Sequence, residues 1–171
     1  VIVLLYPHMD LVMELDGFLD KEFCEEIVDR CKQDSHDKSN GLHIYRYNEW
    51  SEINDKLREV IKDGQSRYIE WLSVILPDIP KLITNTTNTE FKIENHDTGY
   101  NWISFRGGSS LFNFFIHLTD VKEGGETDFV YKKVKPRTGK LVIFPAYWTS
   151  IHRGLPCENK YVLMGSFHTV L

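Results

Sequence analysis

The hydrophobic rhythm of this 171-residue chain changes once, and the change restricts the folds open to it. From about residue 10 to residue 76 the apolar residues recur at helical spacing. Leu15, Phe18 and Leu19 lead to Asp20, an N-cap candidate, with Glu22 placed favourably for the helix dipole. Phe23, Cys24, Ile27, Val28 and Cys31 then form one apolar stripe. Residues 33–41 are polar and read as a loop. Ser51 is a candidate cap for a second stripe of Ile53, Leu57, Val60, Ile61, Tyr68, Leu72 and Ile75. Gly64 interrupts that stripe, which leaves one bent helix or two short ones. Pro77 and Pro80 close the region.

From about residue 89 the period is that of strands. Runs at 89–94, 100–105, 111–118, 127–130, 140–144 and 161–171 are separated by Gly, Asp, Asn and Pro. The run 111–118 is nearly all apolar, as a strand buried on both faces would be. Many short strands at close spacing predict a sandwich or jelly roll. With the helices first, the fold class is α+β, mainly β with N-terminal helices, and residues 1–171 form a single domain.

Composition removes some functions. A net charge of −5 argues against nucleic acid, because phosphate binding needs clustered Lys and Arg. Lys132, Lys133, Lys135 and Arg137 do cluster, and read as a solvated connector. The three cysteines Cys24, Cys31 and Cys157 have no paired spacing, which favours a reducing compartment and small buried hydrophobes over a disulfide framework. The apolar run at residues 1–5 is too short for a signal peptide or membrane span. The sequon Asn85-Thr86-Thr87 carries little weight without such a signal. Tyr45, Tyr47 and Trp50 either form an interface or cover the barrel, and the covering role is favoured.

Chemistry concentrates between Asp120 and Gly165. Gly124-Gly125-Glu126-Thr127-Asp128-Phe129 is followed by Lys135-Pro136-Arg137-Thr138-Gly139-Lys140-Leu141-Val142-Ile143-Phe144-Pro145, then His152-Arg153-Gly154-Leu155-Pro156 and Lys160-Tyr161. This order resembles the C-terminal core of the prolyl-4-hydroxylase-like 2-oxoglutarate/iron(II) dioxygenases, particularly the small bacterial and tailed-phage versions. Phe18-Leu19-Asp20-Lys21-Glu22-Phe23-Cys24 is similar to the family's opening helix. The resemblance implies a double-stranded β-helix, or jelly roll, with the helices packed on one sheet. It also implies His152 as the distal iron position and Lys160 as the base that pairs with the far carboxylate of 2-oxoglutarate. In a silent descendant Lys160 would instead pair with Glu126, Glu158 or solvent.

Such enzymes hold iron(II) by two His and one carboxylate, with the first His and the carboxylate two residues apart on a strand. The phage-type pattern carries them just after a Trp. Here Gly99-Tyr100-Asn101-Trp102-Ile103-Ser104-Phe105 places Ile103 at the His position and Phe105 at the carboxylate position. Neither side chain binds metal. His96-Asp97 lies too early and reads as a turn with Thr98-Gly99. His117, within Ile116-His117-Leu118-Thr119-Asp120, is either a cavity-facing replacement ligand or, as favoured for a lone His in an apolar strand, a hydrogen-bonded core residue. Glu126 and Asp128 flank a turn that shapes the barrel. Residues 107–110 (Gly-Gly-Ser-Ser) form a turn between strands.

Three functions follow as expectations. The first is a catalytically silent dioxygenase-fold protein, with no cofactor, used as a binding or structural module. A component of a virus particle is one form of it, with a protein partner or larger assembly and neither nucleic acid nor membrane. The second is an active hydroxylase using iron(II) and 2-oxoglutarate through an atypical ligand set that includes His117 and His152. The third is a metal-free sensor that binds a small acid through Lys160. The expected location is cytoplasmic or within a virus particle.

Overall fold

The computed structural model describes residues 10–78, 86–87, 90–103 and 110–169. Helix α1 (Lys21–Gln33) buries Phe23, Cys24, Ile27, Val28 and Cys31, the stripe read from sequence. Helix α2 (Ser51–Ile75) runs uninterrupted through Gly64 and stops two residues before Pro77. Gly64 is where α2 meets the sheet. A Cβ there would lie 2.6 Å from Leu141 Cδ2 and 3.0 Å from Phe18 Cζ, so the hydrogen lets helix and sheet approach.

Of the two capping expectations, Asp20 holds in position and Ser51 needs correction. Asp20 occupies the N-cap position, and its carbonyl accepts from the Cys24 N–H (3.0 Å), but its side chain makes no cap bond. Ser51 is already the first residue of α2, whose cap position is Trp50, again without a side-chain bond. Packing fixes that start instead: Trp50 is fully buried and its indole N–H donates to Asp34 Oδ2 (2.7 Å). Tyr45 and Tyr47 are half-buried beside it, in keeping with a covering role.

Among the described residues, one antiparallel sheet runs β1 (Met13–Leu15), β8 (Leu141–Pro145), β5 (Ser110–His117), β10 (Tyr161–Thr169) and β2 (Thr86–Thr87). Strand β3 (Lys92–Asn95) also pairs with β10. The second sheet runs β4 (Tyr100–Ile103), β9 (His152–Gly154), β6 (Thr127–Phe129) and β7 (Lys132–Val134). Two of these strands lie where the sequence suggested otherwise. Strand β1 falls within the stretch of helical rhythm, and three residues are too few to show a period of two. Lys132 and Lys133 belong to β7, not to a connector. Lys132 reaches Asp10 (3.0 Å) and Glu14 (3.1 Å), so its charge is spent on the sheet edge.

Alternation along β5, β8 and β10 separates two cores. Phe112, Phe114, Ile116, Leu141, Ile143, Leu163 and Phe167 face the helices and join one apolar cluster with α1 and α2. Phe115, Val142, Phe144 and Val162 face the other sheet and join Phe129 and Val134. Strand β5 is thus covered on both sides, as its nearly all-apolar run required. His117 shares a face with Phe115, so it points between the sheets.

The Thr138-Gly139-Lys140 turn ties the layers together. The Leu19 N–H donates to the Gly139 carbonyl (3.0 Å), and the Gly139 N–H donates to the His117 carbonyl (2.8 Å). Gly139 has φ +77°, and a Cβ there would meet the Leu19 carbonyl oxygen at 2.1 Å. Gly17 has a similar φ of +63° with open space around it. Gly17→Ala is therefore expected to cost only the left-handed penalty of about 1 kcal/mol, whereas Gly139→Ala adds an overpacking cost of about 1–3 kcal/mol. Urea unfolding of both variants checks the difference, and equal losses would show that the turn yields to the added methyl.

Candidate functional site

The interior faces of the two sheets do not close on each other everywhere. They leave a cavity of about 590 Å³, within the range of small-molecule sites. Strands β5 and β10 contribute Asn113, Phe115, His117, Val162, Met164 and Ser166 to its wall. Strands β4 and β9 contribute Tyr100, Ile103 and His152. Lys160, just before β10, completes one end.

Cross-strand register decides what surrounds His152. It lies opposite Ile103 on one side and Phe129 on the other. Its ring is 5.1 Å from that of Phe129, 5.0 Å from Phe144 and 5.9 Å from Tyr100, measured between centroids. Its Nδ1 donates to the Ser150 carbonyl (2.7 Å), which fixes the ring orientation. The next row reads Tyr100, Gly154, Thr127. A Cβ on Gly154 would fall 2.4 Å from Tyr100 Cε1, so the absent side chain makes room for the phenol ring. Burial pushes the Tyr100 phenol up to about 12, against a hydrogen bond with Thr127.

The pairing of β4 with β9 is irregular. Tyr100 faces Gly154 and Ile103 faces His152, so three steps along β4 match two along β9. This β-bulge turns both Tyr100 and Ile103 inward while Asn101 and Trp102 are exposed. Trp102 lies on the outer face, with the Arg153 guanidinium 4.7 Å from its ring centroid. Arg153 in turn pairs with Asp128 (2.8 Å), so Asp128 is spent on that outer face, away from the cavity.

Lys160 is 1% exposed, and its Nζ donates to the Gly125 carbonyl (2.7 Å). The Gly124-Gly125 turn supplies this partner, not Glu126 or Glu158. The Lys160 N–H donates to Asp97 Oδ1 (2.6 Å), while its carbonyl accepts from the His96 N–H (2.8 Å). His96-Asp97 is indeed a turn, closed by the Gly99 N–H on the His96 carbonyl (3.0 Å). Burial pulls the Lys160 ammonium down to about 8, against the opposing influence of Cys157 and Glu126. Of its three N–H groups, one has a partner among the described residues.

His117 departs from the hydrogen-bonded core reading. It is fully buried, yet neither ring nitrogen has a partner among the described residues. Burial, then the nearby Lys160, Lys140 and His96, push its pKa well below the ordinary value, so the ring is neutral. Other polar groups of the wall pair with one another. Ser166 Oγ donates to Asn113 Oδ1 (2.8 Å), and Ser110 Oγ is hydrogen-bonded to His168 Nδ1 (3.3 Å). Glu94 accepts from His96 Nε2 (2.6 Å) and from Lys92. Burial raises the Glu94 carboxyl, but those two bonds win and hold it at about 2.

Phe105 and residues 107–109 lie outside the described residues. Among those described, a group of three His, Cys, Asp or Glu side chains with ligating atoms within 4.8 Å of one another occurs at Asp34, His36 and Glu49, away from the cavity. Sequence reasoning missed Ser150, Asn113 and Ser166 as wall residues. Period-two alternation from His117 and Lys160 identifies Asn113 and Ser166, whereas Ser150 on its short turn had no sequence signal.

No family model matches the sequence, and no curated protein matches it. Solved structures do. A truncated viral collagen prolyl hydroxylase from Paramecium bursaria Chlorella virus-1 matches with a TM-score of 0.73 at 18% identity, over 94% of this chain and 90% of that one. A 2OG complex of that viral enzyme gives 0.72 at 16% identity, over 95% and 98%. A Pseudomonas putida prolyl-4-hydroxylase gives 0.69 at 14% identity, over 94% and 93%. The chain therefore has the prolyl-4-hydroxylase fold, the jelly roll that its motifs implied. No helix among the described residues is long and apolar enough to cross a membrane.

The Lys160 environment makes stability depend on pH. Its pKa is lower in the folded chain than the ordinary 10.5, so between about 8 and 10.5 the unfolded chain holds the extra proton. Folding becomes more favourable as pH rises through that window. Relative to Lys160→Met, the wild type is expected to gain roughly 2 kcal/mol between about pH 7.5 and 9.5. Urea unfolding of both proteins at the two pH values measures this, and a constant difference would mean the ammonium is not strained.

Proposed function

We propose that this chain is a binding or structural module built on the dioxygenase fold, without the family's iron-dependent oxidation. The observation that carries the reading is the row Ile103, His152, Phe129, which flanks the distal iron position with hydrocarbon on both sides. Iron(II) in this family requires two imidazoles and a carboxylate converging from one side. Ile103 offers none of these. Phe105, by sequence, offers none either. The described residues do not fit that donor set.

Loss of the metal also weakens the cosubstrate site. Lys160 sits where the resemblance expects a 2-oxoglutarate base, but a charge-assisted hydrogen bond contributes roughly 1.5–3 kcal/mol. Millimolar affinity needs about 4 kcal/mol, so a ligand deprived of metal chelation requires further contacts. The atypical hydroxylase reading would join His117 and His152 to a third ligand. Among the described residues, no third donor completes such a group in the cavity. The likeness to phage-borne sequences motivates one form of the proposal, a component of a virus particle or other assembly.

Iron content tests the reading. Protein purified anaerobically with iron(II) is expected to retain well under one equivalent and to form no succinate from 2-oxoglutarate. The double substitution Ile103→His with Phe105→Asp is expected to raise iron retention. Near-stoichiometric iron in the wild type, lost in His152→Ala and accompanied by succinate formation, would overturn the proposal.

A further inference from the structure

We propose that His36 and Glu49 bind a divalent cation of the zinc class where α1 hands over to α2, with Asp34 as the residue that positions the imidazole. The site lies away from the cavity and does not rest on the reading above. The connector between the helices brings the three side chains together. Asp34 is the C-cap residue of α1, His36 follows two positions later, and Glu49 lies in the short turn before α2. Their ligating atoms all lie within 4.8 Å of one another. Asp34 is engaged on both oxygens. Its Oδ1 accepts from the His36 N–H (2.8 Å) and from His36 Nδ1 (2.8 Å), and its Oδ2 accepts from the Trp50 indole (2.7 Å). Trp50 is fully buried, so this carboxylate is anchored to the core. Tyr47 stacks on the imidazole with ring centroids 3.6 Å apart. One edge and one face of the His36 ring are therefore fixed.

The chemistry of the free edge follows from the fixed one. An ionised carboxylate only accepts, so Nδ1 carries the proton and the neutral ring presents the lone pair of Nε2. That nitrogen faces Glu49 Oε1 at 3.6 Å. The separation is too long for a hydrogen bond. It is close to the span of two ligands on one ion, since Zn–N of about 2.0–2.1 Å and Zn–O of about 2.0–2.2 Å at a tetrahedral angle set the two atoms roughly 3.4 Å apart. A carboxylate on the far nitrogen of a ligating imidazole fixes the tautomer and raises its basicity, which is the role Asp34 fills here. The neighbouring cations leave the carboxylates alone: Arg30 donates to the Glu49 carbonyl and Lys38 to the Asp34 carbonyl. The His36 and Glu49 side chains are 34% and 50% exposed, so water completes the coordination shell. One imidazole with one carboxylate selects zinc over magnesium, which takes oxygen ligands.

Calorimetric titration of the full chain with zinc chloride, after treatment with a chelator and dialysis, tests the inference. One equivalent is expected to bind with a Kd below about 0.1 mM, and magnesium chloride is expected to give no binding at the same concentrations. His36→Gln and Glu49→Gln are each expected to weaken zinc at least about tenfold, and Asp34→Asn about tenfold through the imidazole it orients. Thermal melts establish that each variant folds. Should His36→Gln or Asp34→Asn fail to fold, Glu49→Gln keeps the test open, because its half-exposed side chain faces His36 alone among the described residues. Zinc is also expected to raise the Tm of the wild type and to leave that of Glu49→Gln unchanged. An imidazolium clamped between the two carboxylates would leave no place for a cation, and absence of zinc binding at 0.1 mM, on the order of the affinity expected, would overturn the inference in its favour. Zinc affinity unchanged in Glu49→Gln but lost in His152→Ala would place the ion in the cavity and overturn it as well.

Discussion

Burial of β5 on both faces is the constraint around which this protein is arranged. One side of the strand presents Phe112, Phe114 and Ile116 to the helices, and the other presents Asn113, Phe115 and His117 to the second sheet. Its neighbours β8 and β10 repeat the division. A single sheet therefore serves two interiors of different character, one packed and one partly open. Apolar burial contributes roughly 25 cal/mol per Å², and the helix side collects most of it. The side facing the second sheet is then free to carry polar groups that a closed core would not tolerate.

One edge of that central sheet is held electrostatically. Glu14 on β1 receives Lys140 (2.8 Å) and Lys132 (3.1 Å), and Lys132 also reaches Asp10 (3.0 Å). Lys140 is 5% exposed, so its charge is removed from water and needs these partners. An isolated exposed pair contributes little, whereas shared partners spread the entropic cost of ordering long side chains. Because Lys132 lies on β7 and Glu14 on β1, the same contacts join the two sheets. A short strand that would pair weakly by its backbone alone is thereby anchored at the end of the larger sheet.

Much of this was legible in the chain itself, and the exceptions have identifiable physical causes. The stripe of α1, the nearly all-apolar β5 and the ordered motifs around Gly124, Gly139 and His152 led to the fold. Strand β1 was hidden because three residues cannot display a period. Strand β7 was hidden because its Lys132 pairs with carboxylates over a hundred positions away. At the cavity, the positions of His152 and Lys160 followed from motif order. The partner of Lys160 did not, since a backbone carbonyl leaves no mark in a sequence. For His117 the sequence leaves a cavity-facing role open and favours a hydrogen-bonded core residue, because local pattern does not reveal whether the facing sheet closes over it. It does not, and that gap is tertiary information.

The bulge in β4 has a consequence for how this wall tolerates changes in chain length. In a regular antiparallel pair, deleting one residue turns over every side chain beyond it. Here Tyr100 and Ile103 both face inward although two residues, Asn101 and Trp102, stand between them. Removing either of those two would restore the regular spacing of two and leave Tyr100 opposite Gly154 and Ile103 opposite His152. The strand thus contains one dispensable position, and the inner surface of the cavity is insulated from its loss. The outer surface is not, since the pairing of Trp102 with Arg153 occupies one of the two residues in question. Length variation at this point would alter what the protein shows to its surroundings while preserving what it encloses.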